Sequence, residues 1–170
     1  PPHHTKNKKG NGAPFPFFFV QSLESNVSER NLEFAPLVPE LLCMNVAQSI
    51  DFYCGTLGFR KLYGRDNPPF AYLEREGAQI MLEQFEPDGW LTAEMERPFG
   101  RGINFQIETT AIDPMVDALE TAGTPLFREP EEAWYGGQDC LYGQRQFLVL
   151  DPDGYLLRFC QDLGQRPLDN

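Results

Sequence analysis

Along the chain, apolar positions switch between a two-residue and a helical period, and the order of switching occurs twice. Residues 38–44 form a strand-like run, and Asn45 is placed to cap the helix that follows. Val46, Ile50, Phe52, Tyr53 and Leu57 then recur at helical spacing, and Gly58 supplies a left-handed stop. Three strand patterns follow over residues 59–63, 70–75 and 78–85, the last two joined by the two-residue turn Glu76-Gly77. The order then repeats. Residues 103–107 read as a strand, Asp113-Pro114 as a helix N-cap followed by its first position, and Val116, Leu119 and Ala122 as the helical stripe that Gly123 closes. Residues 125–128 read as a short edge strand, residues 129–145 as a long aromatic-bearing loop, and residues 146–150 and 155–160 as the last strands around an Asp151-Pro152-Asp153-Gly154 turn. The pattern predicts an α+β protein of two βαβββ modules, at about 36–86 and 101–162, in one domain spanning 35–165.

The flanks differ. Residues 1–12 mix His, Lys, Asn and Gly without periodicity and read as tail or appended sequence within a 1–34 tail. Residues 15–20 (Phe-Pro-Phe-Phe-Phe-Val) are too apolar to stay solvated and are expected to dock on this chain or a partner. Residues 166–170 read as a C-terminal tail. The longest unbroken apolar run, Phe17 to Val20, is far shorter than a bilayer requires.

The 170 residues are 41% hydrophobic and carry a net charge of −11. Residues 1–34 hold four basic and three acidic side chains, so the rest carries −12. A body this acidic, without a Lys/Arg cluster, repels phosphate backbones and argues against nucleic-acid binding, while favouring a cationic small molecule. The four cysteines (Cys43, Cys54, Cys140, Cys160) have no CxxC spacing and read as free thiols of a reducing, cytoplasmic compartment. The triplet Asn26-Val27-Ser28 would be a glycosylation site only in a secreted protein.

Catalytic constellations are missing. The two histidines, His3 and His4, lie in the tail, so Ser–His and Cys–His pairs cannot form in the body. Gly100-Arg101-Gly102 and Tyr135-Gly136-Gly137 lack the strand-to-helix context of a phosphate loop. The carboxylate pairs Glu74/Glu76, Glu94/Glu96 and Glu131/Glu132 read as solvated faces.

Val38-Pro39, Asn45, Ser49, Phe52-Tyr53 and Leu57-Gly58-Phe59 resemble the first module of the vicinal-oxygen-chelate superfamily, which includes glyoxalases, extradiol dioxygenases and bleomycin resistance proteins. Gly143-Gln144-Arg145-Gln146-Phe147 and residues 151–159 (DPDGYLLRF) resemble its second module, so the resemblance covers roughly residues 36–163. It implies a fold whose curved mixed sheets form a crevice, and leaves activity open. Metal-dependent members carry ligands at positions corresponding to Val38, Glu83, Gly102 and Arg158. Glu83 is the one possible donor there and no second carboxylate matches, so no metal and no other cofactor is expected.

The chain most resembles the metal-free bleomycin resistance branch, through Leu37-Val38-Pro39, Phe70-Ala71, Met81-Leu82-Glu83 and Leu156-Leu157-Arg158. That likeness implies a non-enzymatic homodimer whose interface crevices sequester a bleomycin-like glycopeptide or other planar cation. Aromatic faces for the rings and negative charge for the cation are the requirement. The residues implied to line the crevice are Phe70, Tyr72, Glu83, Asn104, Trp134, Tyr142 and Arg158, with Tyr135 as a further wall. Phe70 reads equally well as a core residue, Trp134 and Tyr135 as pins for the loop, and Tyr142 as a cap on the next strand. Pro68-Pro69 and Tyr142 depart from the branch at positions where acidic residues and Trp are frequent. Glu83 and Arg158, at two converging positions, are expected to face each other. An enzyme of the same superfamily and a structural dimer with a closed crevice remain the alternatives.

Overall fold

Repeated βαβββ patterning needs two places to bury its apolar faces, and the chain builds two sheets around one shared core. The structure is a computed structural model that describes residues 33–168. The first sheet contains β1 (Glu40–Cys43), β2 (Arg60–Asp66), β3 (Pro69–Arg75) and β4 (Ala78–Gln84) in the order β1-β4-β3-β2. The second contains β5 (Asn104–Glu108), β6 (Leu126–Gly136), β7 (Cys140–Leu150) and β8 (Leu156–Pro167) in the order β5-β8-β7-β6. In each sheet the first strand runs parallel to the last and the remaining pairs are antiparallel. This is the expected α+β arrangement of two modules. The apolar segment 15–20, the histidine pair and the rest of the tail up to residue 32 lie outside the described residues. No described helix is long and apolar enough to cross a membrane.

A helix follows the first strand of each module. Asn45 caps α1 (Val46–Ile50) as expected, its side chain accepting the Gln48 N–H at 3.1 Å. The helix then widens into a π-helical stretch, Asp51–Thr56, with the Leu57 N–H reaching the Phe52 carbonyl at 3.1 Å. Within this stretch the adjacent rings of Phe52 and Tyr53 both pack into the core, edge to face with centroids 5.5 Å apart. Helix α2 (Asp113–Thr121) starts one residue earlier than expected: Ile112 is the cap, and its carbonyl accepts the N–H groups of Met115 and Val116.

One face of each sheet joins this core. Leu57, Leu73 and Leu82 from module one and Leu119, Phe147, Leu157 and Phe159 from module two are fully buried. Each such side chain contributes roughly 1.5–3 kcal/mol of transfer free energy. Polar links add direction. In the DPDG turn, Asp151 accepts the N–H groups of Asp153 (3.0 Å) and Tyr155 (2.8 Å) and the Tyr53 hydroxyl at 3.0 Å. Asp153 accepts the Met44 N–H at 3.2 Å and pairs with Arg97 at 2.6 Å. The second module's turn is thereby bonded to the first module's helix.

The expected long loop over 129–145 is a correction. It is a hairpin, β6 and β7 joined across residues 137–139, and β8 continues past the expected end at residue 160 to Pro167. The hairpin was hidden because it extends beyond the core: Glu129-Pro130-Glu131-Glu132 lies on an edge strand, where no alternation toward a buried face is needed. Trp134 packs on Gly143 across the pair, and any Cβ at residue 143 would approach its ring to 2.5 Å.

Candidate functional site

Each sheet has a second face turned away from the shared core, and all the candidate residues except Trp134 lie there. On the first sheet, Phe70 and Tyr72 alternate with the core residues Ala71 and Leu73, and Phe70 lies in register with Glu83. Tyr63 stacks on Tyr72 (centroids 5.1 Å apart, planes 22° apart) and lies 5.8 Å from Phe70. Phe70 and Tyr72 are nevertheless buried, at 6% and 3% exposure, as a satellite cluster apart from the main core. Their cover includes Arg65, whose guanidinium lies 4.6 Å from the Phe70 ring centroid, and Phe34, edge-on to Tyr72 at 5.4 Å. Gln79 holds Phe34 in place: it accepts the Ala35 N–H and donates to the Glu33 carbonyl, both at 2.7 Å.

The same face carries two carboxylates. Glu83 pairs with Arg65. Glu40 on β1 shares a hydrogen bond with Glu83; desolvation against the sheet, and then the neighbouring carboxyl, push it up to about 7. Near neutral pH Glu40 is therefore only partly ionised, and a cation arriving beside it favours releasing its proton. Glu40 was missed in the sequence, where no second carboxylate matched the positions examined. Its signal was sequence spacing: Glu40 lies two residues after Val38, one of the positions compared.

On the second sheet, Arg158 occupies β8 as Glu83 occupies β4. Its Nε donates to Gln146 Oε1 at 2.9 Å, and its Nη2 to Tyr135 Oη at 2.9 Å and Gln144 Oε1 at 3.2 Å. Gln146, 5% exposed, also donates to Glu131 at 3.1 Å, and Glu131 pairs with Arg128. Gln144 and Gln146 were quoted in the sequence motif without a role; their alternation around Arg145 places both on this face.

Asn104 is exposed on β5, and its register with Leu156 places it on the face of Arg158. Tyr142, 49% exposed, is in register with Tyr135 on the far part of that face. Trp134 points to the opposite face, where the Arg166 guanidinium lies 4.2 Å from its ring. The candidates thus form two groups, Phe70/Tyr72/Glu83 on one sheet and Asn104/Tyr142/Arg158 on the other, with Trp134 apart from both. The expected meeting of Glu83 and Arg158 is not made within the chain, because each is held by its own sheet.

Among the described residues no three His, Cys, Asp or Glu side chains are grouped to hold a metal ion, and Glu83 is already ion-paired.

Two sheets of this order, each with a helix after its first strand, define the paired-βαβββ class of protein. The chain belongs to the Glyoxalase/Bleomycin resistance protein/Dioxygenase superfamily, which it matches over residues 36–159. It is 27% identical over 134 residues to the bleomycin resistance protein of Geobacillus stearothermophilus, covering 74% of this chain and 96% of that one. Its fold is similar to that of TioX from Micromonospora sp. ML1 (TM-score 0.58, 19% identity, 76% of this chain and 100% of the other). It is also similar to TnmS3, an antibiotic binding protein from Streptomyces sp. CB03234 (TM-score 0.52, 19% identity, 74% and 93%).

Proposed function

We propose that this protein binds and sequesters a small planar cation, in the manner of a bleomycin resistance protein, without changing it chemically. The observation that carries the reading is Arg65. The aromatic face of the first sheet already accepts a planar cation of the chain's own, stacked over Phe70 and paired with Glu83. A ligand cation that displaces Arg65 meets the same ring and the same carboxylate, with Tyr63 and Tyr72 extending the stacking surface. The curated relative's name and the antibiotic-binding structural neighbour support this reading. The acidic body attracts such a ligand from solution.

The protein acts as a cytoplasmic homodimer in this proposal, with the two outward sheet faces of different chains closing each crevice. The test is calorimetric titration of the full chain with bleomycin-class glycopeptides and with ethidium, alongside sedimentation analysis. One ligand per chain, on a dimer, is expected. Binding by a monomer, or one ligand per dimer, rules out the interface crevice; no heat with any planar cation rules out the function.

A further inference from the structure

The second sheet presents chemistry opposite to that of the first. Arg158 is half-buried, and its Nε and Nη2 protons go to Gln146, Gln144 and Tyr135, which are all neutral. No hydrogen bond uses its Nη1 protons, and no carboxylate lies within ion-pair distance of it among the described residues. Glu131 is nearest in the network and feels the Arg158 charge, but it is bonded to Gln146 and paired with Arg128 instead of touching the Arg158 fork. A guanidinium taken partly out of water and oriented by neutral acceptors keeps its full charge and a fixed planar fork. Glu131 attracts that charge only from a distance and shares its own with Arg128, so the half-buried fork favours a partner that brings an anion into direct contact.

We propose that Arg158 anchors an oxyanion-accepting subsite, taking a carboxylate on an aromatic small molecule. The subsite rests on the reading of the outward faces as small-molecule sites, and it makes the ligand amphoteric: a planar cation for the first sheet and an anionic oxygen for the second. Glu83 of another copy is a poor substitute for that oxygen, since Arg65 already neutralises it. Asn104 and Gln106, exposed beside Leu156 and Arg158 on β5, offer amide donors to the same oxygens. Tyr135, Gln144 and Gln146 are positioning residues that fix the plane of the fork. The protein's charge of −11 opposes an anion at long range, but screening cuts that repulsion beyond about 8 Å at physiological salt, leaving the local guanidinium dominant.

The test compares 2-naphthoate with 2-naphthamide, which differ in charge and little in shape, by titration of the full chain. Naphthoate is expected to bind roughly tenfold more tightly, as a charge-assisted fork should provide. Arg158→Met should erase that preference while leaving the amide's affinity within about twofold. Arg158→Lys, which keeps the charge without the fork, should retain part of it and carries the test if Arg158→Met does not fold. Tyr135→Phe should weaken naphthoate selectively and to a smaller extent. Equal affinity for both probes, no binding of either at millimolar concentration, or a preference that survives Arg158→Met would overturn the proposal. A preference that emerges only in Glu83→Gln would overturn it too, by showing that Glu83 is the anion Arg158 holds. The ethidium titration is read at Phe70 on the other sheet, so its failure and the failure of this subsite are distinguishable.

Discussion

The Glu76 carboxylate accepts the backbone N–H of Thr110 at 2.6 Å, fastening the β3–β4 turn of the first module to the chain entering α2 in the second. The same carboxylate accepts the Thr109 hydroxyl at 3.1 Å and pairs with Arg75 at 2.9 Å. Glu76 does this from a left-handed backbone, φ 49°, in the two-residue turn it forms with Gly77. That conformation costs a non-glycine residue about 1 kcal/mol, so relief of strain alone would make Glu76→Gly stabilising. The charge-assisted bonds outweigh it, each contributing about 1.5–3 kcal/mol. Glu76→Gly should therefore lower unfolding free energy by about 1 kcal/mol or more in urea denaturation. A neutral or stabilising result would show that the strap carries no net stability. Burial raises the Glu76 pKa, but its hydrogen bonds and Arg75 hold it below the usual value overall, so the strap operates above pH 4.5 and fails as pH falls through that lowered value.

Gly143 is required by its neighbour rather than by its own backbone. Three atoms of the Trp134 ring lie 2.5–2.8 Å from where a Cβ would be, and Trp134 also carries the Arg166 contact. Gly143→Ala should push the indole outward, destabilise the protein by about 1–3 kcal/mol, and red-shift tryptophan emission. Unchanged stability and emission would mean that the hairpin adjusts freely.

The repeat was legible because its signals were local: Asn45 as a cap, Gly58 and Gly123 as stops, Glu76-Gly77 as a turn. Each depends on the side chain and backbone of a few neighbouring residues. The ends of the long hairpin, 125–128 and 146–150, read as strands, but residues 129–145 between them did not, because that pairing lies beyond the core and leaves no apolar alternation. The site was half legible. Phe70 and Glu83 came from the family resemblance, but their partners Arg65 and Glu40 come from other strands, and only the register brings them together. Glu76 and Glu131 read as solvated in the sequence, yet both are hydrogen-bonded, for the same reason.

Asp151 sets a pH dependence of stability. Burial raises its pKa to about 6 from 3.8, against the lowering effect of the Tyr155 and Asp153 N–H groups and the Tyr53 hydroxyl. A carboxyl whose folded pKa is raised favours folding below its unfolded value, and that contribution is lost as pH rises from about 4 through about 6. Asp151→Asn keeps an oxygen for both N–H groups and removes the ionisation. The stability of the parent relative to this variant should fall across pH 4 to 6, measured by denaturant midpoints at fixed ionic strength. Parallel curves for the two proteins would remove Asp151 as the cause.

Phe70 separates stacking from simple filling. If a cation replaces Arg65 over its ring, Phe70→Leu should preserve apolar volume while losing the cation–π attraction, weakening ethidium by about 1 kcal/mol with little change in the melting temperature. Equal affinity in the parent and Phe70→Leu would assign Phe70 to packing alone.

Phe34 already covers part of the surface that a planar ligand would use. Its ring meets Tyr72 edge-on at 5.4 Å and Tyr63 at 6.4 Å, yet it is 53% exposed, so removing it leaves the main core intact. Gln79 keeps the segment there by bonding both the Glu33 carbonyl and the Ala35 N–H, and a ligand stacking on Tyr63 and Tyr72 has to displace the ring. The edge contacts so lost are worth about 0.5–1.5 kcal/mol beyond area, which sets the penalty on binding. Phe34→Ala should therefore bind ethidium more tightly, by roughly three- to tenfold, with most of the gain in the association rate because the ring no longer has to leave first. Gln79→Ala, which frees the segment without deleting the aromatic but also removes the acceptor of the Tyr72 hydroxyl, should move affinity in the same direction by less. Weaker binding in Phe34→Ala would make Phe34 a wall that contacts the ligand, and would place the ligand beside the segment instead of beneath it.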